Sequence, residues 1–181
     1  EDYSDTMPRL APAKRLKGGT FKVASNGFKL GERFIKIIFD NALAFGSEEI
    51  YLTAFDHGDN QLRLLELLKD WGFKYHGTKE SQSGKEQVLT RNCLPACAEG
   101  TNAPRFAYPY AKKTRTKWIV PIYPEYHTEL FPDSLLKTES ADDFVDSTPN
   151  RNALSKVYIS RSFNRALKPG DIIVFYRTAS G

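Results

Sequence analysis

"KVASNGFKLGERFIKIIF", Lys22 to Phe39, decides how the rest of the chain is to be read. A run of β-formers breaks at Ser25-Asn26-Gly27, passes a second glycine at Gly31, and continues as an apolar segment. Leu30, Phe34, Ile37, Ile38 and Phe45 recur at helical spacing, and Gly46 follows as a C-terminal stop. A strand, a short glycine-bearing turn and a helix start form a natural anion site. The first backbone N–H groups of the helix are unpaired, and its dipole adds positive potential there. Gly27 and Gly31 also suit a tight turn and close helix packing, and local sequence by itself favours that plainer role.

Working outward, Arg15 to Ala24 reads as a strand entering this turn, and Glu49 to Phe55 as a second strand, apolar enough to be buried on both faces. Asp59 or Asn60 can cap the next helix, with Leu62, Leu65 and Leu68 on one stripe and Leu64, Leu67 and Trp71 broadening it. Gly72 stops that helix. Phe73 to Gly77 and Glu86 to Thr90 then read as a closing strand pair around Ser81 to Lys85. Strand, helix, strand, helix, strand predicts an α/β (α+β) layer over residues 1–92, a mixed sheet flanked by helices.

The character changes after Asn92. Prolines, small residues and the basic run Lys112 to Lys117 predict a linker over 93–116. From Lys117 the signals are β again: Trp118–Tyr123, Lys156–Ser160 and Asp171–Tyr176, the last preceded by the turn Lys168-Pro169-Gly170. A second, small, mostly-β and barrel-like domain is expected over 117–181, cut short, and no internal repeat is visible.

Composition bounds the rest. The 181 residues are 40% hydrophobic and 27% charged, the balance of a soluble globular protein with material for a core. No stretch reaches the roughly 18 consecutive apolar residues of a membrane span, and no signal peptide is recognisable. Cys93 and Cys97 lack two further Cys or His ligands nearby, because His57, His76 and His127 are scattered; no metal site is expected. Cytosolic thiols and a cytoplasmic location are the default. The net charge of +4 permits a polyanionic partner without requiring one. A chain that starts at Glu1 and stops directly after a strand-like run is expected to be a piece of something longer.

Residues from about Leu16 to Asn92 resemble the C-terminal two-thirds of the GNAT superfamily of N-acetyltransferases. The order "GGTFKVAS", "NGFKLG", "ERFIKIIFDNALAF", "EEIYLTAF", "NQLRLLELLKDWGF" and "GKEQVLTRN" carries the resemblance, and Trp71-Gly72-Phe73 is similar to the glycine-phenylalanine ending of that superfamily's last helix. The resemblance implies that the turn binds the pyrophosphate of acetyl-CoA, with Asn26, Gly27, Phe28, Lys29, Leu30 and Gly31 as the cradle. It also implies that Phe21 and Val23 offer strand groups to the pantetheine arm. Of the superfamily's usual turn pattern only Gly31 fits, with Asn26 at a Gln/Arg place and Lys29 at a glycine place. Many relatives use a tyrosine four residues before the Gly-Phe pair as the acid; here that position is Leu68, which carries no proton to give. Tyr51, His57, Tyr75 and His76 stand as substitutes, with Asp56 and Asp59 near His57 to orient it. The N-terminal third that shapes the acceptor site has no counterpart here, so a missing segment or partner is expected to complete the domain.

Between Ser147 and Gly170 lie Arg151, Lys156, Arg161, Arg165 and Lys168, with no acidic residue and with Tyr158 and Phe163 among them. Basic groups interleaved with aromatics suit phosphate contact plus base stacking, although a solvated strand face gives the same pattern. "KPGDIIVFYRT" resembles the strand signature of the PUA-like group, including ASCH and EVE domains, which implies RNA or modified-base binding. In "IVPIYPEYHTELFPDS", Tyr123, Tyr126, His127 and Phe131 fit either a base pocket or aromatic packing under a proline-rich loop. The expected function is acetyl-CoA-dependent transfer to an amine, RNA-linked, with a nucleic-acid-binding domain attached. The alternatives are a non-catalytic RNA-binding module on an acetyltransferase-like scaffold and a component of a toxin-like or regulatory assembly.

Overall fold

Glu49–Ala54 (β3) is the strand on which the other elements assemble. Its Ile50, Leu52 and Ala54 are buried toward one side of the sheet and Tyr51 toward the other, as an apolar run with no exposed face requires. A computed structural model describes residues 5–19, 29–101, 103–134, 152–160 and 166–178. β3 pairs in parallel with Arg15–Gly18 (β2) and antiparallel with Gly84–Asn92 (β5). β5 pairs antiparallel with Lys74–Ser81 (β4), and β4 with the two-residue strand Thr6–Met7 (β1). The order β1-β4-β5-β3-β2 is a five-stranded mixed sheet. Parallel neighbours need a crossover, and the helix Leu30–Ala44 (α1) supplies it between β2 and β3.

α1 and the helix Asp59–Asp70 (α2) cover one face of this sheet. Ile35, Ile38, Phe39 and Ala42 of α1 meet Ile50, Leu52 and Leu89 of the strands and Leu65 and Leu68 of α2, with Trp71 and Phe73 closing the cluster. Burial of each such side chain contributes roughly 1.5–3 kcal/mol. The ends of α1 and of the β4–β5 hairpin fall close to their sequence signals, and Gly72 ends α2 at φ +83°, a conformation only glycine adopts without strain. Two details differ from the sequence reading. Leu62 is 48% exposed and lies outside the buried stripe, which is Leu65 and Leu68 with Leu64 and Leu67 at its margin. Gly58, rather than Asp59 or Asn60, occupies the cap position, and it makes no side-chain cap hydrogen bond. On the opposite face Leu10, Tyr51 and Val88 form a smaller cluster, into which the β1 segment, unrecognised in the sequence, is drawn.

The segment read as a linker is packed against the core. Two short helices, Ala96–Glu99 (α3) and Pro104–Ala107 (α4), run into Tyr108, whose ring lies 5.3 Å from Phe39 and 5.9 Å edge-on from Trp71. Arg91 of β5 is only 3% exposed. Its Nη2 donates to the carbonyls of Arg105, Phe106 and Tyr108 at 3.2, 3.2 and 2.5 Å, and its guanidinium lies 4.2 Å over the Phe39 ring.

Beyond it, Lys117–Ile122 (β6) pairs in parallel with Ile172–Arg177 (β7), with Ile119 opposite Val174. Among the described residues these strands do not close a barrel. Lys156–Ser160, expected as a strand, pairs with no strand among the described residues, and Val157 and Ile159 are 76% and 89% exposed. The stretch after Tyr123 is a helix, Pro124–Leu130 (α5), which Pro124 starts by fixing φ where no N–H is needed. Its Phe131 end packs on Phe175 of β7 at 5.3 Å and on His127 at 5.4 Å, so these aromatics pack the α5–β7 contact.

Replacing Arg91 by lysine keeps the charge but loses the guanidinium plane that lies on Phe39 and holds Nη2 among the three carbonyls. Arg91→Lys is expected to lower the unfolding free energy by about 2–4 kcal/mol, since carbonyls buried without donors cost about 1–3 kcal/mol each. Urea denaturation measures this, and early proteolysis within 96–110 is expected alongside it. Unchanged stability would show that the segment is held by other contacts.

Candidate functional site

A cleft of about 280 Å3 lies between β2 and α1, lined by Leu16, Gly18, Gly19, Phe34, Ile37 and Asn41 among others. β2 is one edge of the sheet, and Gly19, which follows it, opens onto space where an added Cβ would meet nothing within 4 Å. Phe34 and Ile37 face this opening and remain substantially exposed. Of the expected cofactor residues, Lys29, Leu30 and Gly31 are placed beside it at the start of α1; Phe21, Val23, Asn26, Gly27 and Phe28 lie outside the described residues.

The start of α1 has its own chemistry. Lys29 is left-handed, at φ 50° and ψ 23°, and α1 begins without a side-chain cap. Gly31 sits where an added Cβ would meet the Leu67 side chain of α2 at 2.5 Å, so the glycine lets Leu67 pack close to α1. Glu32 places a carboxylate in the first turn, favourable to the dipole. Both of its oxygens are engaged, accepting from the Ser155 amide at 2.8 Å and the Ser155 hydroxyl at 3.1 Å. Lys29 Nζ donates to the Ser155 carbonyl at 3.4 Å.

The four expected acid–base residues are not brought together. Tyr51 is buried on the sheet face opposite α1 and α2. His57 is exposed in the loop after β3, its ring 5.2 Å from Phe55. Tyr75 is exposed on β4, and His76 Nε2 lies 3.0 Å from the Pro8 carbonyl beside the β4 bulge. β4 is three strand spacings, about 14 Å, from β2. Of the two aspartates near His57, Asp56 accepts from Gln87 Nε2 at 3.2 Å. Leu68 is fully in the core. Burial pushes the Cys93 thiol up to about 11, with Arg91 only partly opposing it, so this cysteine stays a thiol at neutral pH and is not a nucleophile. Among the described residues no group of three potential metal ligands occurs, and no helix is long and apolar enough to cross a membrane.

Of the expected nucleic-acid residues, Lys156, Tyr158 and Lys168 are described and Arg151, Arg161 and Arg165 are not. Tyr158 stacks edge-on against Phe175 at 4.9 Å, so one side of its ring is spent on packing. Lys168 is exposed, with its backbone N–H held at 2.9 Å by Asp171. A polar tie between α1 and this region has no local signal in the sequence. Lys36 Nζ bridges Asp40 at 2.7 Å and Asp133 at 2.6 Å, and Asn152 also donates to Asp133. The partners are 97 residues apart along the chain, and only the Lys36–Asp40 half, at i,i+4, could have been read from spacing.

Comparison with known protein families, with curated proteins and with solved structures gives no match for this chain.

Burial by itself would raise the Asp133 carboxyl, but hydrogen bonds from Lys36 and Asn152 outweigh it and hold the group below its ordinary value of 3.8. A carboxylate whose folded pKa is depressed stabilises the fold above the unfolded pKa, and that contribution is lost as pH falls through the folded one. Asp133→Asn is therefore expected to cost about 0.5–1 kcal/mol, as for a partly exposed pair. In urea titrations this difference should be level from about pH 5 to 8 and close as pH drops below about 3.8. A difference that persists in acid would mean that Asp133 acts through something other than its charge.

Proposed function

We propose that the five-stranded unit binds acetyl-CoA and transfers its acetyl group to an amine, as in the GNAT superfamily it resembles, and that the PUA-like β6–β7 unit binds the RNA that carries the amine. The observation that carries this reading is the cleft between β2 and the start of α1, which Gly18, Gly19, Phe34 and Ile37 line. An extended arm bearing amides can lie along the backbone of β2 there as an added strand does.

The residues present fit the group in size and chemistry. At about 280 Å3 the cleft is near the lower limit of small-molecule sites and takes the arm of acetyl-CoA rather than the whole molecule. Its apolar walls suit the arm's methylenes, and Lys29 with the first amides of α1 suits the phosphates. Bound acetyl-CoA supplies an activated thioester. His57 lies in the loop that leaves the carboxyl end of β3, and its imidazole suits acceptance of a proton from the incoming amine. Tyr75 and His76, on β4, are too remote for that role.

A second reading, a non-catalytic RNA-binding module or a component of a toxin-like or regulatory assembly, is favoured by one observation. The position at which many relatives carry their acid is Leu68, which is locked in the core.

Calorimetry with acetyl-CoA is expected to show binding, and no heat at millimolar cofactor overturns the first reading. Lys29→Glu should weaken affinity about tenfold, equivalent to about 1.4 kcal/mol. Gly31 is unsuitable for this test, because any side chain there meets Leu67. Release of CoA thiol with an amine-bearing RNA should fall about 100-fold in His57→Ala. Binding without turnover would favour the second reading.

A further inference from the structure

Glu32 stands three residues after Lys29, the residue that caps α1. A glutamate at that place has a local partner of its own, because its carboxylate can reach back to the unpaired amides at the helix start. Those amides are the ones that suit the cofactor's phosphates, so Glu32 is a built-in competitor for them. In the structure it does not compete. Among the described residues neither of its oxygens bonds to the backbone of α1. Oε2 accepts from the Ser155 amide at 2.8 Å and Oε1 from the Ser155 hydroxyl at 3.1 Å, which turns the carboxylate toward residue 155.

Ser155 is itself held in place. Ala153 is fully buried, Leu154 packs on the cluster that α1 shares with the sheet, and Asn152 donates to Asp133. Three residues after Ser155, Tyr158 lies edge-on against Phe175 of β7 at 4.9 Å. The serine therefore meets α1 from a segment seated at both ends. Lys29 Nζ also reaches the Ser155 carbonyl, at 3.4 Å. The cation that suits the phosphates and the carboxylate that competes with them are thus tied to one residue.

We infer that Ser155 is a positioning residue for the cofactor site: by holding Glu32, it keeps the first amides of α1 open to the phosphates of acetyl-CoA. The inference rests on the acetyl-CoA reading of the cleft and adds to that site a residue 123 positions along the chain. Loss of the serine hydroxyl leaves the carboxylate on one hydrogen bond and lets it turn to the amides. Loss of the carboxylate leaves nothing to turn.

Calorimetry of the full chain with acetyl-CoA tests this. Ser155→Ala is expected to weaken affinity about fivefold, the low end of couplings between linked groups. Glu32→Ala breaks the same contact from the other side, yet it is expected to bind more tightly than the wild-type chain, because a carboxylate near the phosphates is gone. Ser155→Ala made in the Glu32→Ala background should then change affinity by less than about twofold. A loss shared by both single variants overturns the inference, since a need for the docked segment by itself predicts that result. A Ser155→Ala chain that binds like the wild type overturns it as well, as does a loss that persists in the double variant. The acetyl-CoA reading stands in all three cases. No binding by the wild-type chain overturns that reading and the inference together.

Discussion

The guanidinium of Arg91 occupies a place where a linker would be expected to come loose. It is buried with no carboxylate beside it, and burial pulls its pKa below the ordinary arginine value. What holds the charge is a set of carbonyl oxygens and an aromatic face. Nη2 serves the carbonyls of Arg105, Phe106 and Tyr108, and the Phe39 ring lies beneath the plane. Those carbonyls belong to a chain leaving a one-turn helix, where no backbone partner would otherwise reach them. A hydrophobic residue at 91 would fill the volume and leave them unsatisfied; lysine would bring the charge on one point rather than a plane. The arginine makes an irregular segment part of the core. Tyr108 then completes an aromatic group with Phe39 and Trp71.

That fastening holds the segment directly after residue 93 to the core. The 96–115 segment then delivers the chain to β6, which pairs with β7. A second tie is made on α1 itself, where Lys36 holds Asp133 and Glu32 holds Ser155. One helix therefore presents Phe39 to the Arg91–Tyr108 group and its first turns to residues 133 and 152–155. Glu32, Lys36 and Phe39, spaced four and three apart, are successive rungs of one flank of the helix. The β6–β7 region and the start of α1 are consequently joined through side chains, as well as through the backbone.

The first ninety residues were legible because their signals are local. Periodicity located α1 and α2, glycines at 46 and 72 ended them, and the apolar run of β3 announced a strand covered on both faces. The errors have equally particular causes. Leu62 shares the stripe of Leu65 and Leu68 on a helical wheel, yet it lies one turn too near the helix start to reach the sheet. Lys156–Ser160 has a strand's composition, yet no strand among the described residues lies beside it, since composition alone does not place a pairing partner. Composition also marked 93–116 as a linker, since it cannot show that an arginine from another strand will satisfy the segment's carbonyls. The same holds for the candidate site. Lys29, Leu30 and Gly31 were named as part of a cradle through the resemblance that their turn carries, whereas the Glu32–Ser155 contact spans 123 residues and left no pattern to read.

That contact also alters what the glycine turn means. Gly31 was a candidate for its backbone, yet close packing against Leu67 explains the residue without any ligand. The case for an anion there passes to Lys29 and the unpaired amides of the first turn, and against them stands Glu32. A carboxylate at a helix start stabilises the helix and repels phosphate through the same field. Its two oxygens, however, are taken by the amide and hydroxyl of Ser155, which disperse its charge, and Lys29 reaches the carbonyl of that same residue. The electrostatics of the turn are thus set jointly by α1 and by a serine from the far end of the chain. A phosphate approaching α1 would meet Lys29 and Ser155 together, so the proposed site at the start of the helix draws on both halves of the protein.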